Sequence, residues 1–252
     1  MPKIDVFSEG KTEKEIFTQF AKRILTDIEF QERGGGGVDE MLKSLQLLLK
    51  DHVALQLEAR PQLNVLVVRD CDEHLNQTVE FVCDDTLEYI QSYFQNAVFQ
   101  ADTTHQNIFN LQAEAPTLKL VLHVADKKYM PDFVKATIDD YVLDLALRLP
   151  TIKILLAKKK SEGERQKPKR DWQAVTEDGI LNKVKSEIPA LLLSNKIPPV
   201  IEAKEFLRIY ATVFQEHVSP AVIAGKLLAN ADEKDIREIF APLLAAIQLL
   251  AS

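Results

Sequence analysis

The sequence predicts an α/β protein in which a parallel sheet is sandwiched by helices and followed by a mainly helical C-terminal portion. Three observations predict it. Short apolar runs alternate with apolar residues at helical spacing through about residue 150, the signature of strand–helix–strand units with right-handed crossovers. The run Leu63 to Val68 is almost continuously apolar and β-branched, as in a strand covered on both faces. Beyond residue 150 the chain is dominated by Ala, Leu, Ile, Glu and Lys, with no further strand-like run.

Ile4, Val6 and Phe7 form the first strand, which stops at Ser8-Glu9-Gly10, and Ile16, Phe17, Phe20 and Ile24 then mark a helix. Ile28-Glu29-Phe30 leads into Gly34-Gly35-Gly36-Gly37, read mainly as a flexible turn because it lacks the Lys-Ser/Thr ending of a phosphate-binding P-loop. Met41, Leu45, Leu48 and Leu49 mark a second helix, and the third strand, Leu63 to Val68, ends at Asp70-Cys71-Asp72. A long helical stretch is expected from about Val79 to Phe94, another buried strand from Leu118 to Val124, and a helix after Pro131 through Phe133, Ile138, Val142, Leu145 and Leu149. The expected organisation is an α/β domain over 1–150, a basic linker or loop over 151–171 and a helical portion over 172–252.

The chain has 252 residues, 46% hydrophobic and 27% charged, which excludes a disordered, collagenous or coiled-coil protein. Its net charge of −7 means that DNA or RNA would have to be met by a local basic patch. One such patch exists: Lys158, Lys159, Lys160, Arg165, Lys167, Lys169 and Arg170 fall within thirteen positions. They could neutralise phosphates without regard to base sequence, or form a solvated linker. Two cysteines make neither a disulfide framework nor a zinc knuckle. No apolar run approaches the ~18 residues of a membrane span, and Met1-Pro2-Lys3-Ile4-Asp5 carries an acid where a secretory signal is apolar. A cytoplasmic protein with no membrane association is expected.

Chemistry in open parallel sheets gathers outside the carboxyl ends of the strands, and two acidic motifs stand there. Glu9-Gly10-Lys11-Thr12-Glu13 follows the first strand, and Asp70-Cys71-Asp72 follows the third. A hard divalent cation takes oxygen ligands and tolerates water in its remaining positions, so Glu9, Asp70 and Asp72 are candidates to hold Mg²⁺ or Mn²⁺. Glu9 would either ligate the metal or accept a proton from the attacking water. Gly10 permits a tight turn, Thr12 is expected to cap the following helix, and Glu13 is placed to act as a base or to support the ligands. His74 stands two residues beyond Asp72. The same acids would also suit helix starts and turns with no chemistry attached.

At these residues the chain resembles the Toprim domain shared by topoisomerases, primases, and OLD-type and related small nucleases, whose signature is a glutamate after the first strand and an Asp-x-Asp motif after a later one. The resemblance covers roughly residues 3–150. The form Glu-Gly-x-Thr-Glu is most similar to small stand-alone bacterial and archaeal Toprim proteins, often tied to phage defence. It implies a parallel sheet sandwiched by helices and metal-dependent hydrolysis of phosphodiester bonds in DNA or RNA. These small proteins often carry a further acid in the region of Asp139-Asp140, so Asp139 or Asp140 is a candidate to complete the metal site, or else both lie in the first turn of a helix. The alternative function is a non-catalytic Toprim scaffold acting through a protein partner.

Overall fold

The computed structural model describes residues 1–56, 60–72, 77–115, 117–165, 171–216 and 218–252, the side chains of 162–165 excepted. Along β1 (Lys3–Ser8), Ile4 and Val6 point into one apolar cluster and Phe7 into another, so the strand is covered on both faces. The chain crosses through α1 (Lys11–Arg23) to β2 (Glu29–Glu32) and returns through α2 (Val38–Ala54) to β3 (Leu63–Asp70). After α3 (Val79–Gln91) come β4 (Val98–Ala101), β5 (Ile108–Gln112) and β6 (Leu118–Ala125). The sheet order is β2-β1-β3-β6-β5-β4. β2, β1, β3 and β6 run parallel, while β5 and β4 are antiparallel to their neighbours at the edge.

Because β2 and β3 lie on opposite sides of β1, right-handed crossovers put α1 and α2 on opposite faces. The packing agrees: Ile16, Phe17 and Phe20 of α1 share a cluster with Ile4, Val6, Leu66 and Val68, whereas Met41, Leu45 and Leu49 of α2 pack with Phe7, Val65 and Val67.

The rest of the chain is helical. α4 (Ile138–Ala146) and α5 (Leu149–Arg165) are followed by a 3-10 turn, Trp172–Ala174, and by α6 (Glu177–Asn182), which continues through a π-helical stretch into α7 (Ile188–Ser194). α8 (Ala203–Val213), α9 (Pro220–Asn230), α10 (Glu233–Ile239) and α11 (Ala241–Ala251) complete it. These helices close over the α1 face: α9 packs on α1, α8 on α4, and α11 on β6 and β3. Phe20 meets Phe240 edge-on at 5.5 Å, and Arg23 donates to the carbonyls of Leu228 and Ala231. One apolar cluster therefore runs from Ile4 to Leu250.

Two expectations change. The stretch expected as a linker from residue 151 is helical as far as Arg165, because Ile152 and Leu156, one turn apart, are buried in that cluster. Lys167, Lys169 and Arg170 lie outside the described residues. The helix expected after Pro131 begins only at Ile138, with Phe133 buried from the preceding loop. Among the described residues, no helix is long and apolar enough to cross a membrane.

Candidate functional site

β1 and β3 are neighbours whose connections leave in opposite directions, and the crevice at such a switch point lies beyond their carboxyl ends. Glu9 directly follows β1, and Asp70 ends β3. The Asp70 amide donates to Glu9 Oε1 at 3.2 Å, tying the two strand ends together. Gly10 is the N-cap of α1, and a Cβ there would stand 3.0 Å from Glu13 Oε2, so a glycine leaves room for the Glu13 carboxylate to fold back toward the strand ends.

α4 reaches the same place through a bridge between Cys71 and Ala136, whose amides and carbonyls exchange bonds of 2.8 and 2.9 Å. That contact sets the first amide of α4, Ile138, to donate to Asp70 Oδ1 at 3.0 Å. It also places Asp139 against α1, where the Thr12 hydroxyl donates to Asp139 Oδ1 at 3.0 Å. Thr12 thus links two helices instead of capping α1, and Gly10 takes the cap position.

Glu9, Glu13, Asp70 and Asp139 act on one another. Burial pushes the Glu13 carboxyl up to about 7, with Asp139 and Glu9 adding repulsion. Asp70 is held well above the usual carboxylate range, first by the protein packed around it, although part of its surface stays open, and then by Glu13, Glu9 and Asp139. Burial raises Glu9 and Asp139 as well. Arg69 and Lys135 oppose the rise at Glu9, while the Thr12 bond, Lys204 and Lys135 oppose it at Asp139. Arg69, fully buried on β3, sets its Nε 3.6 Å from Glu9 Oε1 and donates through Nη1 to Thr86 and Asp85 of α3.

Asp140, next to Asp139, is bonded differently. Its Oδ1 accepts from the Tyr129 amide in the loop after β6, and its Oδ2 accepts from both the amide and the hydroxyl of Thr137 at the start of α4. Burial lifts it to about 6. Asp72 is half-buried just beyond β3, its amide donating to Gln77 Oε1 at 3.2 Å, while His74 lies outside the described residues. Among the described residues, no group of three or more His, Cys, Asp or Glu side chains is arranged to hold a metal ion.

Beside the carboxylates opens a groove of about 550 Å³. The starts of α1, α2 and α9 line it, together with Lys11, Lys14 and Lys204. The four-glycine run is its wall. A Cβ on Gly34 would fall 2.4 Å from the Ser8 carbonyl oxygen, and Gly35, Gly36 and Gly37 have φ of +126°, +90° and +99°, so the loop can lie against β1 only without side chains. Lys158, Lys159 and Lys160 stand elsewhere, on α5, and Lys159 is paired with Glu216 at 2.7 Å.

Sequence reasoning missed Arg69, Lys135 and Lys204. Arg69 leaves a trace, a charged residue near the end of an otherwise apolar strand. The two lysines leave none, since only the tertiary fold brings them near the carboxylates.

No family model matches the chain, and no curated protein does. Among solved structures, it is similar to the crystal structure of a hypothetical protein from Pyrococcus horikoshii OT3, with 13% identity, a TM-score of 0.52 and coverage of 100% of this chain and 96% of that one. At that identity the likeness concerns the fold alone.

Proposed function

We propose that this protein is a metal-dependent phosphodiesterase of the Toprim kind, a nuclease acting on DNA or RNA, with Glu9, Asp70 and Asp72 as ligands of Mg²⁺ or Mn²⁺. The observation that carries the reading is the gathering of Glu9, Glu13, Asp70 and Asp139 at the switch point, beside a groove lined by lysines. The donor set fits a hard cation in its chemistry, being all carboxylate oxygen. Mg²⁺ commonly takes one or two protein carboxylates and completes its shell with water and substrate phosphate, so a ready group of three is not required. When bound, such an ion stabilises charge on phosphate oxygens and makes water a better nucleophile.

The protein's own groups divide the remaining work. Glu9 is raised by burial, and Arg69 and the Asp70 amide oppose that rise, favouring the charged form that a ligand or proton acceptor requires. Glu13, near 7, is poised to exchange a proton at neutral pH. Lys11, Lys14 and Lys204 along the groove supply sequence-independent contacts to a phosphate backbone.

The second reading, a Toprim scaffold acting through a protein partner, is favoured by the lack of a three-ligand group among the described residues. A panel of single- and double-stranded DNA and RNA, incubated with Mg²⁺, Mn²⁺ or chelator, separates the two. Cleavage is expected only with metal, falling at least a hundredfold in Asp70→Asn, Asp72→Asn and Glu9→Gln. Undiminished cleavage in these variants contradicts the metal site, and metal-independent silence on every substrate favours the scaffold.

A further inference from the structure

We infer that α7 and the strap that follows it, residues 195–201, form a homodimer interface on which a second copy of this chain lies antiparallel across a two-fold axis. None of these residues belongs to the carboxylate cluster or borders its groove, so the inference stands whether or not the protein cleaves nucleic acid.

The face is apolar and uncovered. Eight of the eleven residues in 191–201 are Leu, Ile, Val or Pro, and none of the eleven is buried among the described residues. Leu191, Leu193, Ile197 and Ile201 are 59%, 61%, 46% and 38% exposed. α7 buries none of its residues, and its main neighbour is the π-helical stretch that leads into it. A seven-residue helix is marginal by itself, and a contiguous exposed apolar patch marks an interaction surface. The patch is also held in place at both ends. Lys196, at φ +58°, closes α7: its amide donates to the Leu193 carbonyl at 3.0 Å and that of Ile197 to the Leu192 carbonyl at 3.1 Å. At the far end the Ile201 carbonyl accepts from the Val134 amide at 3.1 Å.

Charge selects the occupant. Residues 187–201 carry one acid, Glu187, and one base, Lys196, so this face is neutral in a chain of net charge −7. Nucleic acid or an interfacial membrane helix would call for a basic face. The nearby lysines are engaged, Lys183 with Glu187 at 3.1 Å and Lys185 over the Tyr129 ring. The single acid and base are instead complementary to themselves. Glu187, Leu191 and Ser194 are exposed and recur at the spacing of one helix face. The midpoint between positions 187 and 196 falls between Leu191 and Leu192, at the middle of α7. A second α7 laid antiparallel about that point sets Glu187 of each copy opposite Lys196 of the other and brings the leucines together at the axis. Such a self-matching patch is what a two-fold interface requires. About fifteen residues a side is fewer than the 20–30 of a standard interface, so the dimer is expected to be weak, with a Kd of about 1–100 μM.

The test is sedimentation equilibrium of the full-length protein from about 1 to 300 μM. A reversible monomer–dimer equilibrium is expected. Leu191→Asp/Leu193→Asp, changes at exposed positions that spare the core, should weaken it at least thirtyfold with unchanged circular dichroism. Glu187→Lys and Lys196→Glu should each weaken it at least threefold, and the two together should return it to within twofold of wild type, because the exchanged charges meet again across the axis. A wild-type protein monomeric throughout, or a dimer indifferent to Leu191→Asp/Leu193→Asp, overturns the interface, and a monomer that binds phosphatidylcholine vesicles assigns the face to a membrane surface instead. A charge-exchanged protein that dimerises no better than the weaker single variant overturns the antiparallel arrangement.

Discussion

Glu13 and Asp70 show how differently two acids at a strand-end site can be legible. Both were visible in the sequence because they follow apolar runs that end abruptly, where a folded sheet exposes its chemistry. The rise of their carboxyls was not visible, since it comes first from burial by the folded chain and then from neighbouring acids that include Asp139 on α4, more than sixty positions away. Asp139 and Asp140 are adjacent acids in one helical turn, and only the turn's geometry decides that one meets Thr12 while the other caps the helix. Relief of repulsion makes Asp70→Asn stabilising: the amide keeps an oxygen for the Ile138 bond, and a gain of about 1 kcal/mol would raise the melting temperature by ~2–4 °C. A fall in melting temperature at pH 7.5 would contradict this. Glu13 gives a pH signature. Its folded value of about 7 exceeds its ordinary 4.5, so the favourable protonated state is fully present below pH 4.5 and is lost as pH rises through 7. That loss is on the order of 3 kcal/mol. Urea unfolding at pH 5 and pH 7.5 should show wild type losing stability relative to Glu13→Gln over this window, and a pH-independent difference would count against the buried cluster.

Elements were legible where burial is two-sided and hidden where it is partial. β1, β3 and β6 are mainly apolar because helices cover both faces. β4 and β5 mix Gln and Asn with apolar residues, as an exposed antiparallel edge requires, and no strand was expected there. The basic stretch around Lys158 looked like a loop because charge outweighs the few residues, Ile152 and Leu156, that anchor it as a helix. The glycine loop was recognised as a turn, but its closeness to β1 was not. It makes a graded prediction: Gly34→Ala, driven into the Ser8 backbone, should cost at least ~2 kcal/mol. Gly35→Ala has open space around it and should cost only the ~1–2 kcal/mol of its positive φ. Chemical denaturation of the two variants measures the difference, and equal costs would mean the loop does not press on the strand as described.

At the scale of the molecule, the sequence separated an α/β portion from a helical one but could not show that α11 would lie on β3 and β6. Helical periodicity names an apolar face without naming its partner. Since a single cluster runs from Ile4 to Leu250, far-ultraviolet circular dichroism and the fluorescence of Trp172, stacked on Phe214, should report coincident unfolding. Two separated transitions would restore a two-domain description. Ile247→Ala, a truncation at a fully buried position of α11 in that cluster, should cost about 2–5 kcal/mol. The switch-point site, which joins β1, β3, α1 and α4, is tested most directly by thermal melting with Mn²⁺ in wild type and in the Glu9→Gln/Asp70→Asn double variant. A cation that binds only the folded protein adds about 1.4 kcal/mol at ten times its Kd. The expected result is a saturable rise in the wild-type melting temperature that is lost in the double variant, and rises of equal size in both proteins would contradict a metal site at these carboxylates.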